Sequence, residues 1–82
     1  MKTTRYFDER IRPKRPYLRD DWIMRALAEP ARRSEQEDGR IRFWHRVEVE
    51  PDKMYMLRVV TLQDGQTVHN AFFDRSYKEP DA

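Results

Sequence analysis

The chain of 82 residues contains no cysteine. Disulfides and thiolate metal sites are thereby excluded, and a small domain without such staples suits the cytosol, so a cytoplasmic protein is expected. Glycine is nearly as scarce. Gly39 and Gly65 are the only two, and each follows an aspartate in a turn-forming pair. That leaves nothing from which to build a glycine-rich phosphate loop. No apolar run approaches the roughly 20 residues of a membrane span, so no membrane partner is expected. The opening "MKTTRYFDERIRPKRP" lacks the apolar stretch of a signal peptide. Histidine occurs twice, as His45 and His69, without cysteine or acidic companions at ligand spacing. No metal and no cofactor are expected. There is also no Gly-x-Ser-x-Gly nucleophile elbow.

What is present is charge. Charged residues make up 39% of the chain, against roughly 25% in an average domain. Hydrophobic residues make up 38%, enough for one small core, and ten aromatics argue against disorder. A chain of this size forms a single domain, 1–82, that buries only about 60% of its unfolded surface. The net charge of +2 is unevenly spread: residues 1–33 hold ten Lys/Arg against five acids, and residues 34–82 hold seven against ten. A basic half can meet a polyanion, although a run of charges is as often a solvated surface.

The segment 1–19 reads as a basic arm. "TRYFD" (4–8) could form a short strand, and "RPKRPY" (12–17) is an exposed connector that two prolines keep out of a helix. "DDWIMRALAE" (20–29) reads as a helix capped by Asp20, with Trp22, Ile23, Ala26 and Leu27 on one face and Pro30 as its stop. "ARRSEQEDG" (31–39) reads as a polar loop. Residues 40–74 then read as a meander of three strands, 40–49, 54–62 and 67–74, joined by "EPDK" and "QDGQ", with 75–82 as a tail. The expected fold class is α+β, one short helix on an antiparallel sheet of three strands, or four if a further segment joins it.

Register follows from the turns. With Asp64-Gly65 central, Val60 falls opposite His69, Arg58 opposite Ala71 and Met56 opposite Phe73. With "EPDK" as a four-residue loop, Val49 pairs with Met54 and His45 falls opposite Arg58, while a five-residue loop exchanges the sides of His45 and Trp44. Arg58 and His69 then share a face close enough to flank one phosphate. Metal-free RNA cleavage needs a base for the ribose 2′-hydroxyl, a cation for the crowded phosphorane and an acid for the leaving oxygen. Histidine suits proton transfer near neutrality, and arginine suits the phosphate. The candidate catalytic residues are therefore His69, Arg58 and Arg75. Candidate RNA contacts are Arg10, Arg12, Lys14, Arg15, Trp44 as a stacking ring, and Lys78. Each has a plainer reading. A strand histidine is commonly a hydrogen-bonded structural residue, Arg58 could pair with Glu48 or Asp74, and Trp44 could belong to the core.

The basic start, the short helix ending in Pro30, then "DGRIRFW", "LRVVTLQDGQTVHNAFFDR" and "SYK" together resemble the small single-domain bacterial toxins of the RelE and BrnT type and their uncharacterised relatives. The resemblance runs over most of residues 5–78 and is one of element order. It implies a compact α+β fold, metal-independent endoribonuclease activity and a partner antitoxin. It puts the polar residues of the last strand at His69, Asn70 and Arg75, and the middle-strand cation at Arg58. Where relatives often carry a histidine in the first segment, "YFDERIR" offers Tyr6, Asp8, Glu9, Arg10 and Arg12. Two other readings stand beside the ribonuclease: a non-catalytic interaction module that forms a homodimer or binds a small partner protein, and an RNA binder without chemistry.

Overall fold

In the computed structural model, which describes residues 1–78, four antiparallel strands follow one another across one sheet. They are β1 (Arg32–Glu35), β2 (Ile41–Glu50), β3 (Lys53–Thr61) and β4 (Val68–Phe73), and one α-helix, α1 (Asp20–Ala28), packs on β2 and β3. The architecture is α+β. Part of the expected tail, residues 79–82, lies outside the described residues.

The fourth strand comes from the segment read as a loop. Residues 32–35 carry no β-branched or apolar side chain, so propensity gives no sign of a strand there. The turn supplies it. Gly39 has φ +89°, its N–H bonds the Gln36 carbonyl, Gln36 N–H bonds the Arg40 carbonyl at 2.8 Å, and Asp38 Oδ1 accepts from Arg40 N–H. This Asp-Gly turn folds β1 back along β2, with Arg33 opposite Phe43 and Ser34 opposite Arg42.

The strand expected at 4–8 is instead helical. Phe7–Ile11 is wound as a π-helix, closed by Arg12 N–H on the Phe7 carbonyl five residues back, at 2.9 Å. Thr4 Oγ1 caps it by accepting Phe7 N–H, and Arg5 pairs with Glu9 one turn on. Phe7 and Ile11, four residues apart, both lie buried in the core. The extended piece is shorter and earlier: Val68 donates its N–H to the Lys2 carbonyl, and Thr4 N–H returns to the Val68 carbonyl. It covers part of the outer edge of β4.

Helix α1 begins where expected, but Asp20 does not cap it. Arg19 holds the cap position without a side-chain bond, and Asp20 accepts instead from Arg12 Nη1 at 2.8 Å. Ile23 and Ala26 are fully buried, with Trp22 and Leu27 packed at their flanks. They meet Ile41, Phe43, Val47, Leu57, Val59, Val68 and Ala71 from one face of the sheet. Among the described residues, no helix lies over the other face.

Both hairpin registers differ from expectation by one residue, for the same reason. At the first turn Glu50 pairs with Lys53 around Pro51-Asp52, in phase with the expected register. A bulge between Glu48 and Glu50 then shifts all the rest, so that Trp44 rather than His45 stands opposite Arg58. At the second turn Leu62 pairs with Thr67 and Thr61 with Val68, again in phase. A bulge at His69 then places Asn70 opposite Val60, Phe72 opposite Arg58 and Phe73 opposite Leu57, in place of the expected His69, Ala71 and Met56 partners.

Candidate functional site

The face left open by α1 carries, along alternate positions, Arg42, Trp44 and Arg46 on β2, Arg58 and Val60 on β3, and Asn70 and Phe72 on β4. Trp44 is the centre of this layer. Its ring is buried, and the guanidinium carbons of Arg32, Arg42 and Arg58 lie 5.4, 5.6 and 5.6 Å from its centroid. Phe72 forms a second platform under Arg58 and Arg15, at 5.2 and 5.8 Å. Rings of this kind hold guanidinium groups by their negative faces while leaving N–H edges free to bond anions.

Arg58 is the most enclosed of these cations. Its side chain is 23% exposed, its Nε is buried without a hydrogen-bond partner, and its Nη1 lies 3.8 Å from Asp74 Oδ2. Burial and the neighbouring Arg42 lower its pKa, and Asp74 opposes them. Burial pushes the Asp74 carboxyl up, but bonds from Trp44 Nε1 and from Ser76, with the charge of Arg58, outweigh it and leave the group below its ordinary value. The open alternative for Arg58 thus resolves towards Asp74.

His69 sits at the other end of the face. Alternation from the buried Val68 turns it to the side of Val60 and Arg58. Its Nδ1 lies 3.1 Å from Thr4 Oγ1, and its ring stacks on Tyr6 with centroids 4.9 Å apart. Burial, then the field of Arg40, lowers its pKa. Because Thr4 also accepts Phe7 N–H, the cap of the first helical turn fixes the imidazole, and Nε2 has no hydrogen-bond partner among the described residues. The Thr4 and Tyr6 contacts were missed from the sequence because a strand at 4–8 gives no reason to bring them to His69.

The three expected catalytic residues do not converge. Arg58 and His69 share a face, but Phe72 stands opposite Arg58, and Val60 lies between it and the bulge. Their contacts are separate: Trp44, Phe72 and Asp74 for the arginine, Thr4 and Tyr6 for the histidine. Arg75 is farther off. It lies past the end of β4, in the turn after Phe73, and borders a cleft of about 350 Å³ with Arg46, Asp74 and Tyr77. Trp44 cannot serve as a free stacking ring, because arginines and Tyr77 take its surface. Of the arm residues, Arg15 joins the face, bonding Asn70 Oδ1 and the Ala71 carbonyl, both at 3.2 Å. Arg12 turns to Asp20 and the Phe7 ring, while Arg10, Lys14 and Lys78 are exposed away from these contacts. His45, expected beside Arg58, lies on the helix side with Nδ1 3.2 Å from the Glu29 carbonyl.

Among the described residues no three His, Asp or Glu side chains are grouped to hold a metal ion, and no helix is long and apolar enough to cross a membrane. No family model, curated protein or solved structure matches the chain.

Proposed function

We propose that this protein binds RNA across the open face of its sheet and acts as a toxin-like, metal-independent endoribonuclease with His69 as the proton-transfer residue. The observation that carries the reading is the layer of guanidinium groups, Arg15, Arg32, Arg42 and Arg58, spread on Trp44 and Phe72 with His69 at its margin. A file of fixed cations over an open sheet suits a phosphate backbone, and it requires no sequence reading.

The chemistry assigned to His69 follows from its surroundings. With Nδ1 donating to Thr4 Oγ1, Nε2 holds the lone pair that takes the proton of a ribose 2′-hydroxyl. The oxygen attacks the adjacent phosphorus, a P–O bond forms, and the bond to the 5′-oxygen breaks. The products are a 2′,3′-cyclic phosphate and a 5′-hydroxyl, the latter taking its proton from water or from the newly formed imidazolium. A lowered pKa keeps His69 neutral, hence a competent base, at physiological pH. In this proposal Arg40, 45% exposed, with its Nη1 3.8 Å from Asp38 Oδ2 and its field reaching His69, takes the place of Arg58 and Arg75 as the cation for the phosphorane.

Purified protein incubated with single-stranded RNA in excess EDTA tests the reading. Cyclic-phosphate ends should accumulate with the wild type and be lost in His69→Ala, while His69→Ala still binds RNA. Intact RNA at high wild-type concentration, or equal cleavage by His69→Ala, overturns the catalytic assignment. Affinity that does not change with salt overturns RNA binding on the arginine face.

A further inference from the structure

The two edges of the sheet differ. That of β4 is covered in part: Lys2 and Thr4 bond Val68, and Arg15 Nη1 donates to the Ala71 carbonyl. That of β1 is not. The Gln36–Arg40 bond and the pairs Ser34–Arg42 and Arg32–Trp44 turn the even-numbered backbone groups of β1 towards β2. The N–H and C=O groups of Arg33 and Glu35 therefore face outward, and among the described residues nothing bonds them. A free edge is ordinarily blunted by shortness, a bulge, a proline or charged side chains; β1 is four residues long and charged, but its charges are of both signs. Between Arg32 and Glu35 this edge has neither bulge nor proline, and its two outward-bonding residues carry opposite charges.

That pattern is self-complementary in one register. We infer that β1 pairs antiparallel with the β1 of a second copy of this chain, the two Ser34 residues facing each other across a twofold axis. Arg33 then exchanges two backbone hydrogen bonds with Glu35 of the second copy, and Glu35 does the same with its Arg33. Each cross-strand pair joins opposite charges. The outward groups also permit Arg33 on Arg33 or Glu35 on Glu35, but both set like charges face to face. The side chains are exposed enough to exchange partners: within one chain Arg33 and Glu35 are 3.7 Å apart, with 49% and 70% of their surface exposed, and the Arg33 guanidinium carbon lies 5.8 Å from the Phe43 ring centroid. The two sheets become one of eight strands. Because Arg32 and Ser34 lie on the Trp44 side of β1, the arginine-bearing faces of both copies run on into each other. An isologous contact of this kind closes at two copies and uses up the free edge of β1.

Sedimentation equilibrium over a wide concentration range tests the pairing. The wild type should show a monomer–dimer equilibrium. Arg33→Glu and Glu35→Arg, each on the exposed edge, should weaken it by about tenfold or more, since two opposite-charge pairs become two like-charge pairs. An equimolar mixture of the two variants should restore association. In the mixed dimer the introduced glutamate of one variant meets the introduced arginine of the other, and the retained Glu35 meets the retained Arg33. An intramolecular role for the Arg33–Glu35 pair cannot produce that rescue. Glu35→Pro, which removes an outward N–H and the carboxylate but no hydrogen bond to β2, should abolish dimers while the circular dichroism stays that of the wild type. A wild type that is monomeric throughout overturns the inference, as does a mixture of folded variants that fails to associate. A dimer unmoved by all three substitutions also overturns it.

Discussion

Replacing Arg58 by methionine separates a binding arginine from a structural one. The guanidinium lies over two rings, at 5.6 and 5.2 Å, and each such contact contributes about 0.5–1 kcal/mol. Its ion pair with Asp74 is long, 3.8 Å, and largely enclosed, the two side chains being 23% and 7% exposed; Asp74 keeps its bonds from Trp44 Nε1 and Ser76 when the arginine is lost, so about 1–1.5 kcal/mol comes from the pair. Against these stands the buried, unpartnered Nε, whose lost hydration costs about 1–3 kcal/mol. Methionine keeps an aliphatic stem between Trp44 and Phe72 and removes the orphaned donor. The terms nearly cancel, so the urea-unfolding free energy of Arg58→Met should fall within about 1 kcal/mol of the wild type. Asp74→Ala behaves differently: it strips the acceptor from Trp44 Nε1 and the counter-charge from Arg58, and should cost about 2–4 kcal/mol. RNA binding moves the other way. Arg58→Met should flatten the slope of log affinity against log salt by about 0.7, the share of one phosphate on a single strand. Losses of more than about 2 kcal/mol in Arg58→Met, together with an unchanged salt slope, would refute the reasoning and make the arginine a core residue.

The pH dependence of stability has a fixed sign at His69. Its folded pKa lies below the ordinary 6.5, so the unfolded chain binds more protons between the two values, and stability should fall as pH drops through that window and recover above it. Urea midpoints measured across it should lose this part of their slope in His69→Gln. Thr4→Val removes both the cap on Phe7 N–H and the partner of His69 Nδ1; it should cost about 1 kcal/mol and lower the RNA-cleavage rate more than RNA affinity, as measured in EDTA. Ile23→Ala, at a fully buried position under the sheet, should cost about 2–5 kcal/mol, a large part of the 5–15 kcal/mol available to a small domain, and show as a thermal transition moved well down.

The α+β class, the position of α1 and the two later hairpins were legible because each rests on a local signal with a physical cause. Ile23 and Ala26 repeat at helical spacing and are the residues buried. The same kind of signal was present where the reading went elsewhere. Asp38-Gly39 is as good a hairpin turn as Asp64-Gly65, but the segment before it, "RRSE", has no apolar alternation, since β1 contributes nothing to the core and is held by backbone pairing and by the stacking of Arg32 on Trp44 and Arg33 on Phe43. Phe7 and Ile11 carry helical spacing over a single turn, too short a run to outweigh the extended look of "TRYFD".

The site was harder to read, because it depends on two bulges that leave no mark in the pattern of apolar residues. Arg58 and His69 were singled out as the unusual polar groups of the hairpin, and counting from each turn gave the correct phase at the turn itself. One extra residue at Val49 and one at His69 then replaced each expected neighbour with the residue beside it. The shift at Val49 brings Trp44 under Arg58 and sends His45 to the helix side. The shift at His69 brings Phe72 under the same arginine and frees the imidazole from the ladder to meet Thr4 and Tyr6. Without the bulges, Arg58 would face Ala71 and His45, and no aromatic platform would lie beneath it. The bulges are thus what converts a row of strand arginines into a layer of oriented guanidinium groups. A substitution that removes the extra residue, such as deletion of Val49, should dismantle that layer while leaving β3 and β4 paired, and quenching of Trp44 fluorescence by added RNA should vanish with it. Quenching that persists in a folded Val49 deletion would mean that RNA meets the indole by some route other than the arginines stacked on it.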